Sequence, residues 1–358
     1  MPLIIDEGRI PNLLTERRSE GAVASHDHAA HCVTVALINN MPDPALEDTH
    51  FQFAELLAGA SENIPVHLEM FSLPELPRGD RARQYLRNFY GHIQDLLSRR
   101  FDGVIVTGTE PRQSDLRRET YWPALVEVLE WAEHNTSSAV LSCLAAHAGV
   151  LYSDGIERSR LGDKQFGVFR YKRLENHLLT DGLPDLVKFP HSRWNEVREE
   201  TLSSCGYAIL TRSSEAGVDL FVKEKGDSLF LHFQGHPEYG VCTLLKEYRR
   251  DIKRFFKGER QTYPSMPSEY FDAATARVLA DFKERALSQR DEELLTQFPE
   301  AGIVNSLENS WQSSARCVYR NWLRYLASRK ADQSGFAAVS ETGGGVILSA
   351  DHPNGSRL

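Results

Sequence analysis

Apolar residues fall along this chain in two rhythms. Short, nearly continuous apolar runs at 33–38, 103–106 and 139–141 read as strands covered on both faces. Residues 66–71 alternate apolar and polar as a half-covered strand does. Between these runs lie segments of helical spacing at 45–57, 81–97 and 122–134, the last carrying Leu125, Val128, Leu129 and Ala132 on one stripe. Strand and helix therefore alternate through the first 140 or so residues. That order predicts an α/β protein with a mostly parallel sheet and helices on both faces.

The second half is less regular. Residues 162–169 and 190–193 read as loops around short strands, and 207–211, 220–223 and 229–233 as strands that pair antiparallel. A charged amphipathic helix is predicted over 243–256, with further helices over 270–288 and 316–328. The polar stretch 291–310 has no clear period. Four units result: an irregular arm at 1–32, a main α/β domain at 33–257, a helical extension at 258–330 and a disordered tail at 331–358.

Composition narrows the function classes. Of 358 residues 41% are hydrophobic, enough for a sizeable core, and the net charge of −9 with no long basic run argues against nucleic acid or an anionic membrane as partner. Five scattered cysteines (Cys32, Cys143, Cys205, Cys242, Cys317) have neither metal-site nor redox spacing, which predicts a reduced, cytoplasmic setting. The early charges Asp6, Glu7 and Arg9 leave no apolar core for a signal peptide, and no run has the length of a membrane span. His26, His28, His31 and Cys32 lie close in sequence, but no helical or hairpin frame holds them, so a solvated arm is expected there and no metal.

The chemistry gathers at two strand ends. The run 139–141 stops at Ser142 and Cys143, and small helix-favouring residues follow at once. This is a strand turning sharply into a helix with a thiol at the corner. Unpaired N–H groups at a helix start favour a thiolate and can hold an oxyanion, here through the N–H of Leu144. A cysteine after an apolar run is more often only a small buried hydrophobe. The second segment changes that balance: Gly235, His236, Pro237 and Glu238 follow the run 229–233, so a base and a carboxylate also sit at a strand end. In a parallel sheet, Asn40, Gly108, Cys143 and His236 would meet beyond the C-terminal strand ends.

The ordered pieces resemble the homoserine O-succinyltransferase (homoserine transsuccinylase) family, within the class I glutamine amidotransferase-like, flavodoxin-like fold. They are Asn40-Met41-Pro42, the 101–108 strand and turn, Tyr121-Trp122-Pro123, the 128–131 segment, Pro190-His191-Ser192-Arg193, Gly235 to Tyr239, Ser310-Trp311 and Asn321-Trp322-Leu323. The resemblance implies acyl transfer from succinyl- or acetyl-coenzyme A to the hydroxyl of homoserine in methionine synthesis. It implies Cys143 as acyl-thioester nucleophile, His236 as base, Glu238 as the acid completing the triad, and Lys164, Ser192 and Arg250 as amino-acid contacts. Acyl-CoA would be a co-substrate with no permanently bound cofactor, and the assembly a homodimer.

Departures from the family pattern cluster at the pocket. Asp43 and Pro44 stand where lysines are usual, Leu144 and His147 replace Trp and Gln, and Arg112 occupies the position that separates succinyl from acetyl donors. Arg112 facing the pocket would favour a succinyl carboxylate. His147 reads as a packed core histidine, with a polar role near the thiol as the alternative. Residues 266–309 read as an insertion. Two rivals remain: a glutamine amidotransferase-type glutaminase, against which Ser142 and Ala145 replace the usual flanking glycines, and a non-catalytic binding protein of the same fold.

Overall fold

The computed structural model describes residues 3–5 and 32–342. The first half runs β1 (Leu3–Ile5), β2 (Val33–Ile38), α1 (Asp43–Ala60), β3 (Val66–Phe71), α2 (Asp80–Phe89), α3 (Ile93–Leu97), β4 (Gly103–Val106), α4 (Trp122–Asn135), β5 (Ser138–Ser142) and α5 (Leu144–Asp154). The second half runs β6 (Ser159–Arg173), β7 (Leu186–Glu196), α6 (Glu199–Ser204), β8 (Ala208–Ile209), β9 (Thr211–Ser213), β10 (Gly217–Val218), β11 (Leu220–Lys225), β12 (Ser228–Phe233), α7 (Thr243–Phe256), α8 (Ala273–Ser288), α9 (Glu300–Val304) and α10 (Gln312–Thr342).

The main sheet has the order β1-β3-β2-β4-β5-β12-β11-β8. Its pairs are parallel from β1 through β12, and β11 and β8 add an antiparallel edge. This is the expected mostly parallel α/β architecture. β2, β4 and β5 are buried almost throughout because helices cover both faces. One face packs on α1 and α10, the other on α4 and α5.

The fit of α10 is close. Trp322, Leu323 and Leu326 are fully buried, and a Cβ on Gly103 would lie 2.6 Å from Leu326 Cδ1 and 2.7 Å from Trp322 Cζ2. Only glycine lets the helix approach the strand so closely. The Trp322 indole N–H also donates to Ser138 Oγ at 2.9 Å, which satisfies it inside the core.

Several predicted elements differ in extent. The helix expected over 81–97 breaks into α2 and α3, because Tyr90 takes an extended backbone to bury its ring and accept the Asn39 amide at 2.9 Å. The short strands expected near 162–169 and 190–193 belong to a long antiparallel pair, β6 with β7, in a second sheet of order β10-β9-β6-β7. Their outer residues are polar and solvent-facing, which hides the strand pattern in sequence. A register break between Arg160 and Gln165 lifts residues 161–164 out of that ladder. In the stretch expected to be irregular at the N-terminus, Leu3–Ile5 forms an edge strand parallel to β3. The histidines at 26, 28 and 31 lie outside the described residues, as does the tail beyond Thr342; before it, α10 continues past the predicted end at 328.

Residues 266–309 are built against α7. Tyr270, Leu279, Phe282, Leu294, Phe298 and Ile303 form an apolar cluster with Leu244, Tyr248, Ile252 and Phe255. The segment is latched to β6 where Ser268 exchanges backbone hydrogen bonds with Phe166 and Val168. Gly167 between them has φ of +139°, and a Cβ there would sit 2.3 Å from the Ser268 nitrogen.

Candidate active site

The parallel pairing of β5 with β12 aligns Ser142 with Phe233. The next residue, Cys143, donates its N–H to the Phe233 carbonyl at 2.7 Å. Two segments about ninety residues apart in sequence thus end side by side. On the other flank, β4 pairs Val106 with Leu141, which brings Thr107 and Gly108 alongside the same corner. β2 contributes Asn40, whose N–H donates to Thr107 Oγ1 at 2.8 Å. The four strand ends expected to meet do so.

Cys143 has φ of 54° and ψ of −111°, a backbone state that L-residues rarely occupy. It precedes α5 as its cap residue and is only partly exposed. The strained corner residue is followed at once by Leu144, where α5 starts and whose N–H belongs to the unpaired donors of a helix start. A Cβ on Gly108 would lie 2.9 Å from the Leu144 nitrogen, so the Gly108 backbone closes over that donor as no larger residue can. Beside it opens a small cavity of about 10 Å³, lined by Asn40, Thr107, Gly108, Tyr121, Leu144 and Ala145.

His236 and Glu238 are buried, and His236 Nδ1–H donates to Glu238 Oε1 at 2.9 Å. Burial alone would lower the imidazole pKa. The opposing charge and hydrogen bonding of Cys143 and Glu238 outweigh it and hold the pKa well above the ordinary value. The His236 ring stacks on Tyr239 with centroids 4.2 Å apart, and the His236 N–H is anchored on the Pro190 carbonyl at 2.9 Å. Below the loop, Asp219 accepts the Gly235 N–H at 2.7 Å; it is fully buried, and burial raises its pKa to about 7.

Lys164, Ser192 and Arg250 converge on one group that sequence reasoning missed, Glu247. Ser192 Oγ and Tyr239 Oη both donate to it, the latter at 2.6 Å. Lys164 Nζ lies 3.5 Å from Glu247 and 3.1 Å from Asp251, and Arg250 reaches both carboxylates at 3.3–3.4 Å. Burial works to raise the Glu247 pKa, but Lys164 and Arg250 overcome it and keep the group below its ordinary value. Arg249 turns away to Glu300 at 2.8 Å, as helical spacing requires. The sequence signal was present: Glu247 and Asp251 stand one turn apart on the helix that follows the His-Pro-Glu segment.

Arg112 is exposed. Its backbone N–H and that of Gln113 donate to the buried carboxylate of Glu119, at 2.5 and 2.6 Å. His147 is a core residue: it bonds Gln234 at 3.0 Å, and burial lowers its pKa to about 3. Among the described residues, no cluster of His, Cys, Asp or Glu could hold a metal, and no helix is long and apolar enough to cross a membrane.

The sequence profile of the homoserine O-succinyltransferase family matches residues 15–333. The chain belongs to the homoserine O-succinyltransferase family. A homoserine O-succinyltransferase from Rhodopseudomonas palustris is 43% identical over 301 residues, covering 84% of this chain and 90% of that one. One from Bradyrhizobium japonicum is 43% identical over 296 residues, covering 82% and 90%. A third, from Methylorubrum extorquens, is 41% identical over 312 residues, covering 87% and 92%. Among solved structures, a glutamine amidotransferase from Methylobacillus flagellatus overlays with a TM-score of 0.46 at 16% identity, covering 82% of this chain and 95% of that one. In this member of the homoserine O-succinyltransferase family, Leu144 and Arg112 occupy the corner and the loop that flank Cys143.

Proposed function

We propose that the protein transfers a succinyl group from succinyl-coenzyme A to the hydroxyl of homoserine in methionine biosynthesis, through a thioester on Cys143. The observation that carries this reading is the convergence of Cys143 with the His236–Glu238 pair at adjacent parallel strand ends, next to the Lys164–Glu247–Arg250 cluster.

The proposed reaction has two halves. Cys143 Sγ attacks the thioester carbonyl, and the carbonyl oxygen takes up negative charge against the Leu144 N–H. One such donor is worth about 3 kcal/mol in comparable sites. The intermediate collapses with cleavage of the bond to the coenzyme sulfur, which leaves with the proton carried by His236. Homoserine then enters, its hydroxyl gives a proton to His236 Nε2, and its oxygen attacks the acyl carbon. Release of Cys143 completes the ester. Glu238 holds the imidazole in one tautomer throughout.

The acceptor fits the cluster around Glu247. The cations Lys164 and Arg250 suit an α-carboxylate, and Glu247, Asp251 and Ser192 suit an α-ammonium group. Acyl-coenzyme A serves as co-substrate. The free cysteines Cys32, Cys143, Cys205, Cys242 and Cys317 agree with a reducing cytoplasmic setting. A homodimer is the assembly implied by the family likeness.

The test is direct. Purified protein is incubated with succinyl-coenzyme A or acetyl-coenzyme A and with homoserine, serine or glutamine, and products are identified by mass spectrometry. O-succinylhomoserine is the expected product. Glutamine hydrolysis without ester formation from any hydroxy amino acid would overturn the proposal in favour of an amidohydrolase.

A further inference from the structure

One cation resting on the loop after β4 is not among the residues that the family resemblance points to. Arg158 lies in the short connection between α5 and β6, and its side chain is half-buried. Its Nη2 reaches the carbonyls of Gln113 at 3.3 Å and Ser114 at 3.1 Å, so the guanidinium rests on the loop that follows β4. Among the described residues it forms no ion pair, and its Nε and Nη1 have no acceptor. The nearby Glu119 carboxylate is already occupied by two backbone N–H groups of that loop. Tyr121, which lines the small cavity beside Leu144, has a buried hydroxyl without a hydrogen-bond partner.

The position of this charge relative to the thiol matters. The loop that carries the Gln113 and Ser114 carbonyls follows Gly108, which packs on the Leu144 nitrogen beside Cys143, so one loop links the guanidinium to the thiol corner. Burial lowers the Arg158 pKa, and Tyr121, Glu119 and Cys143 act on it by charge in the opposite sense. Arg112 differs: it is exposed, and among the described residues its guanidinium has no hydrogen bond or ion pair. A succinyl thioester carries its free carboxylate two methylenes beyond the reacting carbonyl. A cation braced on the loop beside that corner, with its Nε and Nη1 unspent, is what that carboxylate needs.

We propose that Arg158, braced on the Gln113 and Ser114 carbonyls, is the residue that binds the distal carboxylate of a dicarboxylic acyl group and selects succinyl over acetyl donors. This deepens the reading of the site as an acyltransferase and rests on it. The acceptor and donor subsites then share one strand margin. Lys164 in the β6 register break faces the amino acid, and Arg158 just before β6 faces the acyl chain.

The experiment compares kcat/KM for succinyl-coenzyme A and acetyl-coenzyme A in the wild type, Arg158→Gln and Arg158→Lys. Loss of a hydrogen-bonded charge partner predicts a fall of about ten- to hundred-fold for the succinyl donor in Arg158→Gln. Acetyl turnover is expected to stay within about threefold, and Arg158→Lys to recover part of the succinyl rate. An equal fall for both donors would make Arg158 only a brace for the 112–114 loop and overturn the inference. So would a selective succinyl loss in Arg112→Gly with Arg158→Gln unaffected. Wild-type turnover of succinyl-coenzyme A, measured alongside, separates failure of this inference from failure of the acyltransferase reading.

Discussion

Cys143 and Phe233 share a 2.7 Å backbone hydrogen bond, from the N–H of the first to the carbonyl of the second. That bond fixes the proposed nucleophile against the strand that ends three residues before His236. It also uses the Cys143 N–H, which leaves Leu144 as the first free donor of α5. The φ of 54° at Cys143 is the conformational cost of this arrangement.

Replacing Cys143 separates chemistry from strain. Both Cys143→Ala and Cys143→Gly are expected to abolish acyl transfer. Only glycine relaxes at positive φ, so the glycine variant should be the more stable of the two by about 1 kcal/mol. Chemical denaturation measures this, and an alanine variant of equal or greater stability would remove the case for strain at the corner.

Glu238→Gln leaves a hydrogen-bond partner for His236 but removes the negative charge. Burial then has less to oppose it, and the imidazole pKa should fall from its raised position. The protonated imidazole persists below that pKa, so the alkaline limb of the donor half-reaction should move to lower pH. The rate should drop by about a hundredfold or more. An unmoved pH profile would show that Glu238 does not hold the proton on His236.

Glu247 offers a kinetic split. Ser192, Tyr239, Lys164 and Arg250 all address it. Glu247→Gln should raise KM for the amino acid by about tenfold. Release of coenzyme A in the absence of acceptor should stay near the wild-type rate. Equal damage to both half-reactions would place Glu247 outside the acceptor subsite.

Buried histidines act on the acid side of the stability curve. Burial lowers the pKa of His50 to about 4 and those of His147 and His232 to about 3. Unfolded, each takes a proton near pH 6.5, whereas the folded chain does not until far lower. Their contribution is intact above about pH 6.5 and declines as pH falls from there toward 4, by up to about 1.4 kcal/mol per unit for each residue. Asp219, raised to about 7 by burial, acts in the opposite sense, since the native state keeps its proton between about pH 4 and 7. His191, whose pKa burial also lowers well below its ordinary value, adds to the three, and His236, held well above its ordinary value, acts with Asp219. With four groups against two, the Tm should decline between pH 6.5 and 5. His147→Gln should make that decline shallower, and an unchanged slope would count against the assignment.

Much of this architecture was legible because the parallel strands are covered on both faces. β2, β3 and β4 were readable to the residue, and α7 likewise, since its apolar stripe packs on one side only. Cys143, His236 and Glu238 stood out because each follows an apolar run that ends abruptly. The β6–β7 pair was obscured by Arg170, Lys172 and Lys188, polar residues placed for solvent or an edge. Glu247 carried only its one-turn spacing to Asp251, and Arg158 no motif at all: their meaning comes from what folding brings beside them, Ser192 across 55 residues and Gln113 across 45. Long-range contacts of that kind leave no local period to read.

The most direct measurement is the intact mass of the chain after brief exposure to succinyl-coenzyme A without acceptor. The account predicts a gain of one succinyl group, located on Cys143 by peptide mapping and absent in Cys143→Ala. It also predicts that the gain vanishes when homoserine is added. A chain that turns over donor and acceptor while its mass never changes under any quench, or that carries the acyl group on another residue, would contradict the covalent route.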